Sequence, residues 1–268
     1  MPTRLATFAT FAPFAPFAPF ARPARLLAFV ATLGASACLS MGPTAPGLPD
    51  FPADGPRLLF IGNSLTYTND LPGMTRQLLA LGGVAHPHVA SVAFPDYALE
   101  DHWYEGTAPR FLRERDWEFV VMQQGPSSLP ENQAVLRAWT VTFAPLVRGA
   151  GAEPVLLMVW PGTDRLAYMD DVRTSYANAA AAVNGLLAPG GEAWKRFGDY
   201  GQLYSDALHP SRAGTYLAAL TIVGRTHGLD PLALPARIPG GSTDTSFVRA
   251  LQRAARAALD STPARPAP

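Results

Sequence analysis

Two short segments, far apart in the sequence, hold side chains that could do chemistry together. Ser64 stands in Arg57-Leu58-Leu59-Phe60-Ile61-Gly62-Asn63-Ser64-Leu65-Thr66, and Asp206 and His209 stand in Ser205-Asp206-Ala207-Leu208-His209-Pro210-Ser211. A serine hydroxyl attacks a carbonyl only when a base takes its proton, and histidine is the side chain suited to that near neutral pH. A carboxylate bonded to the other ring nitrogen fixes the tautomer and the direction of the ring. The spacing Asp-x-x-His puts both groups in one turn. The three residues could therefore carry acyl transfer through an acyl-serine, with Ser64 as nucleophile, His209 as base and Asp206 as its orienting acid. Taken singly, each also has a plain structural reading: Asn-Ser as a turn or helix cap, Asp206 as a turn cap, His209 as a surface residue before a helix.

The elements between them must bring the segments together. Leu58–Ile61, Val89–Phe94, Phe119–Gln123 and Val155–Trp160 are apolar runs of strand length, and a short fifth strand is expected at Leu186–Ala188. Helical patterns cover Leu71–Leu81, Ala108–Arg115, Gln133–Arg148 and Tyr168–Asn184, with closing helices over Ser211–His227 and Phe247–Leu259. Continuous apolar strands alternating with helices predict a parallel sheet buried on both faces. The expected fold is α/β, three layers around a mostly parallel, flavodoxin-like sheet of about five strands. In such sheets chemistry gathers at the carboxyl ends of the strands, and Ser64 directly follows the first. Gly62 is read as the residue that lets the chain turn sharply there.

Gly62-Asn63-Ser64-Leu65 together with Asp206-x-x-His209-Pro210 resembles the SGNH (GDSL-like) hydrolases over roughly residues 57–226. The nucleophile-elbow pattern Gly-x-Ser-x-Gly of other hydrolases is absent. The resemblance implies a serine hydrolase acting on ester bonds, with no metal or organic cofactor. It also implies an oxyanion hole built from the Ser64 N–H, a glycine N–H after the second strand and an asparagine side chain after the third. Two of these blocks depart from the family. The second reads Phe94-Pro95-Asp96-Tyr97-Ala98, with no glycine, so the N–H of Asp96 or Tyr97 must serve. The third reads Met122-Gln123-Gln124-Gly125-Pro126-Ser127, where Ser127 takes the asparagine's place in strict alignment and a glutamine amide can supply the donor, Gln124 in preference to Gln123. Asn63 and Trp103 are candidates for substrate binding, and His102 for the cleft wall; packing on a helix face is the alternative for the aromatic residues. His86, His88 and His227 lack ligand spacing, so no metal site is expected.

Basic and acidic residues balance at 21 each, which excludes a strongly basic nucleic-acid surface. Residues 1–37 contribute three arginines and no acid: a Phe/Ala/Pro triplet run, Arg22 and Arg25, then the apolar stretch Leu26–Leu33 before Ala35-Ser36-Ala37-Cys38. This is the order of an export signal, too short in its apolar part to span a membrane. Either Ala35-Ser36-Ala37 is a cleavage site for ordinary secretion, or Cys38, the only cysteine, is the lipidated first residue of a bacterial lipoprotein. The expected organisation is a signal over 1–37, a Pro/Gly-rich tether over 38–56, a hydrolase domain over 57–260 and a disordered tail over 261–268. The expected function is an exported, lipid-anchored or otherwise periplasmic or secreted serine esterase acting on small-molecule or glycan esters. A non-catalytic glycan- or envelope-binding lipoprotein on the same fold, and an acyltransferase using the same three residues, are the competing readings.

Overall fold

The computed structural model describes residues 47–267. The signal expected over 1–37, Cys38 and the first part of the expected tether lie outside the described residues.

Strand β1 (Arg57–Gly62) leads through the one-turn helix α1 (Ser64–Tyr67) into α2 (Leu71–Leu81), and β2 (His88–Ala93) into α3 (Leu99–Glu105) and α4 (Thr107–Glu114). Then come β3 (Phe119–Met122), α5 (Pro130–Gly149), β4 (Glu153–Leu157), α6 (Met169–Ala182) and β5 (Leu186–Ala188). Helices α7 (Gly190–Phe197), α8 (Tyr200–Leu203), α9 (Arg212–His227) and α10 (Thr245–Ser261) complete the chain. All pairings are parallel and the order is β2-β1-β3-β4-β5. The expected architecture is therefore the one the chain adopts. Leu58 to Ile61 and Phe119 to Met122 are buried, as strands covered on both faces must be. Each such Leu, Ile or Phe side chain contributes about 1.5–3 kcal/mol relative to exposure. Helices α5 and α6 pack together, as do α2 and α9, and α10 packs on α7 and α9.

Beyond shifts of a few residues at element ends, three departures from the sequence reading have a visible cause. Strand β4 stops at Leu157 because the next residues meet α7 instead: Gly191 donates to the Met158 carbonyl at 2.9 Å. The paired Gly190-Gly191 at the start of α7 permits this contact, since a Cβ on Gly191 would lie 2.3 Å from the Val159 oxygen. The described part of the expected tether is packed: Phe51 stacks on His88 at 5.0 Å and meets Trp117 edge-on at 6.1 Å. The tail expected to be disordered is also tied down. Ala264 accepts a bond from Leu187 N–H of β5 at 2.9 Å, and Arg265 pairs with Glu153 at 2.8 Å.

Candidate active site

The site grows from the carboxyl ends of β1 and β3, the point where the sheet's connections leave in opposite directions and a crevice opens. After Gly62 the chain stays extended at Asn63, whose Oδ1 caps α1 by accepting from Leu65 N–H at 3.1 Å. Ser64 is thereby the first residue of that helix, where backbone N–H groups have no intrahelical acceptor. Its φ does not explain Gly62; space does. A Cβ there would stand 2.3 Å from Thr66 Oγ1 and 2.5 Å from Gln123 Nε2. The expectation that Gly62 serves a sharp turn is corrected accordingly.

The two glutamines have distinct work. Both N–H groups of the Gln123 amide are spent, on Asn63 Oδ1 at 2.8 Å and on Thr66 Oγ1 at 2.9 Å. Gln124 gives one amide N–H to Ser127 Oγ at 2.9 Å and accepts from Leu99 N–H at 3.3 Å, which leaves its second amide N–H unspent among the described residues. Its backbone is held by the buried Tyr176 hydroxyl, which donates to the Gln124 carbonyl at 2.8 Å. Burial pushes that phenol's pKa far up, so it remains a neutral donor. Ser127, the strictly aligned replacement for asparagine, serves as Gln124's partner.

The second-strand loop keeps a glycine-like conformation without a glycine. Asp96 has φ +61°, a left-handed position that aspartate tolerates better than most residues, and its side chain is exposed. The Tyr97 carbonyl accepts from Asn63 Nδ2 at 3.1 Å, fastening this loop to the Ser64 turn. Asn63 is thus occupied by Leu65, Tyr97 and Gln123, a structural cap in place of the substrate contact expected of it. Trp103 is likewise corrected: its ring packs on Phe143 at 5.3 Å and Trp139 at 6.2 Å, between α3 and α5. The neighbouring His102 is fully buried, with Nε2 2.7 Å from the Gly62 carbonyl oxygen.

On the other side, Asp206 Oδ2 accepts from His209 Nδ1 at 2.8 Å, while Oδ1 accepts the N–H groups of Leu208 at 2.8 Å and His209 at 2.7 Å. Those backbone donors first, and the ring second, pull the Asp206 pKa down to about 2. The turn is braced by Trp160 Nε1 on the Leu208 carbonyl at 3.1 Å and Thr163 N–H on the Ala207 carbonyl at 2.9 Å. Ser211 caps α9, as the sequence suggested.

The structure thus joins Asp206 to His209. No hydrogen bond joins Ser64 to His209 among the described residues; their segments are linked by Asn69, whose Nδ2 donates to the Pro210 carbonyl at 2.9 Å and to Thr215 Oγ1 at 3.1 Å. Sequence reasoning missed this residue. Its one local signal is the turn-forming pair Asn69-Asp70, both left-handed at φ +56°. A cavity of about 340 Å³ opens beside the Asp206–His209 turn, between Ala207 and Leu208, Ser127 and Leu129, and Pro161 and Arg165. No group of residues fit to hold a metal ion occurs among the described residues.

No protein-family model matches the chain, and no curated protein matches it. Among solved structures it is similar to a protein of Slackia heliotrinireducens assigned to the SGNH hydrolases, with 30% identity over 63% of this chain and 97% of that one and a TM-score of 0.54. The chain belongs to the SGNH hydrolases. A DUF4886 family protein from Bacteroides uniformis shares the fold at 17% identity, covering 78% of this chain and 96% of its own, with a TM-score of 0.66. An acetyl xylan esterase from Geobacillus stearothermophilus does so at 19% identity, 66% and 96% coverage and a TM-score of 0.51. In this SGNH hydrolase the expected serine, aspartate and histidine all fall at the carboxyl-end crevice. At the two departures, Asp96 holds a left-handed backbone and Gln124 has one amide N–H to spare among the described residues.

Proposed function

We propose that this SGNH hydrolase is an exported serine esterase. His209 Nε2 removes the Ser64 proton as Oγ attacks the ester carbonyl. The tetrahedral oxyanion is met by the N–H groups of Ser64 and the Asp96–Tyr97 loop and by the Gln124 amide. The protonated ring then returns its proton to the departing alkoxide, leaving an acyl-serine. Water, deprotonated by the same ring, releases the acid and restores Ser64. The observation that carries this reading is the 2.8 Å pair of Asp206 and His209, fastened by Asn69 to the Ser64 segment. The hydroxyl–imidazole contact is the one bond substrate binding must complete, as is common in unliganded sites.

Short acyl groups on glycans are the preferred substrates. The cavity beside the histidine turn is small, and Ser127, Ser128, Asn132 and Arg165 around it offer partners for sugar hydroxyls. Hydrolysis of p-nitrophenyl acetate, longer-chain esters and O-acetylated xylan by the full chain is the test. Ser64→Ala and His209→Ala are each expected to fall by about 10⁴-fold or more in kcat while remaining folded. Equal rates in all three proteins would refute the assignment.

A further inference from the structure

The proposed steps do not use the imidazole of His102, and its complete burial corrects the expectation that it lines the cleft wall. It is wholly buried, where an apolar side chain would avoid the cost of burying polar atoms. Its Nε2 lies 2.7 Å from the Gly62 carbonyl oxygen; that oxygen can only accept, so the ring nitrogen carries the proton. Nδ1 is buried and meets no partner among the described residues, and burial holds the pKa below the ordinary histidine value. The ring is therefore a neutral, single-purpose donor. The Gly62 carbonyl also accepts from Phe94 N–H at 3.2 Å. Gly62 is the last residue of β1, and the peptide it shares with Asn63 directly precedes the one that carries the Ser64 N–H, whose Asn63 carbonyl accepts from Thr66 at 2.9 Å and Tyr67 at 3.2 Å. The other faces of the imidazole meet Tyr97 at 5.1 Å and Phe94 at 5.8 Å, in the loop that carries the second backbone donor.

We infer that His102 is a positioning residue for the oxyanion donors: its Nε2–H fixes the Gly62–Asn63 peptide, one residue ahead of the peptide that carries the Ser64 N–H, and its ring supports the Phe94–Tyr97 loop, so that the two backbone N–H groups converge. This rests on the esterase reading. It differs from a packing role in one respect, because it requires the donated hydrogen bond as well as the volume.

The test compares His102→Gln, His102→Asn and His102→Leu in the full chain, with Ser64→Ala as control. A glutamine amide nitrogen reaches about as far as the ring Nε2, whereas an asparagine amide stops short. The readouts are kcat and KM on p-nitrophenyl acetate, thermal unfolding, and amide hydrogen exchange over residues 60–66 and 94–98. The glutamine variant is expected within about tenfold of wild type. The asparagine and leucine variants should lose about 10²–10³-fold in kcat, the range for a displaced oxyanion donor, with KM nearly unchanged. Exchange over both segments should rise in those two variants only. Wild-type kcat in His102→Leu would overturn the inference, as would glutamine and asparagine variants that fall together; that comparison stands even if the leucine variant fails to fold. Should wild type prove no faster than Ser64→Ala, the esterase reading fails, and the exchange data alone decide whether His102 orders both segments.

Discussion

At the scale of single residues, the histidine turn is governed by one carboxylate with three tasks. Asp206 accepts two backbone N–H groups through one oxygen and the His209 ring through the other, and these bonds hold its pKa at about 2 against an ordinary 3.8. A depressed folded-state value means the stabilisation is fully present above about pH 4 and is lost as pH falls through about 2. Thermal unfolding of wild type should therefore carry an Asp206 contribution between about pH 4 and 2 that Asp206→Asn lacks. In esterase assays above about pH 4 the carboxylate stays ionised, so Asp206→Asn should remove no step from the pH profile of kcat there. A step above about pH 4 that Asp206→Asn abolishes would contradict the assignment. Asp206→Asn at neutral pH should cost about 10⁴-fold in kcat, because the wrong tautomer is favoured. The pairing of Asp206 with His209 was legible in sequence because the two stand three positions apart. Asn69 and the place of His102 under the Gly62 peptide were not, because their partners lie 141 and 40 positions distant and only the folded sheet introduces them.

Elements were legible in proportion to their length. The five strands and the longer helices announce themselves by apolar periodicity summed over many residues, whereas α1 and α8 are single turns with too few positions to show a period. Helix α7, which the sequence reading did not include, begins with two glycines, poor helix formers whose reason is the close approach to Met158 and Val159 just after β4. Between elements, Asn69 is the decisive link. It leaves the loop between α1 and α2, clamps the residue after His209, and also engages Thr215 of α9. Asn69→Ala should leave the Asp206–His209 pair intact yet lower kcat by about 10²-fold, since a shift of about 1 Å between nucleophile and base has that effect. Steady-state kinetics with a melting curve would check it. Unchanged kcat would mean that the β-sheet alone sets the spacing of the two segments.

For the molecule as a whole, the strand order places β1 and β3 side by side at the point where connections diverge, which is why residues after both strands share one crevice. The chain ahead of the folded domain belongs to the proposal of export. Mass analysis of the mature N-terminus in the exporting host should find Cys38 as the first residue and carrying lipid, with Cys38→Ala unlipidated. An unmodified cysteine would sink the anchor while leaving the esterase proposal untouched. The opposite end has a consequence for how this protein can be handled. Ala264 lies against β5, an edge strand, and takes the Leu187 N–H, while Arg265 pairs with Glu153 of β4. A chain cut after Ser261, or a fusion joined there, would free that donor on a short apolar strand, whose Leu187 carbonyl Arg225 holds at 2.7 Å. Such an edge invites a second molecule to add its own strand. The segment after Ser261 is thus a guard against self-association, and affinity handles belong beyond it.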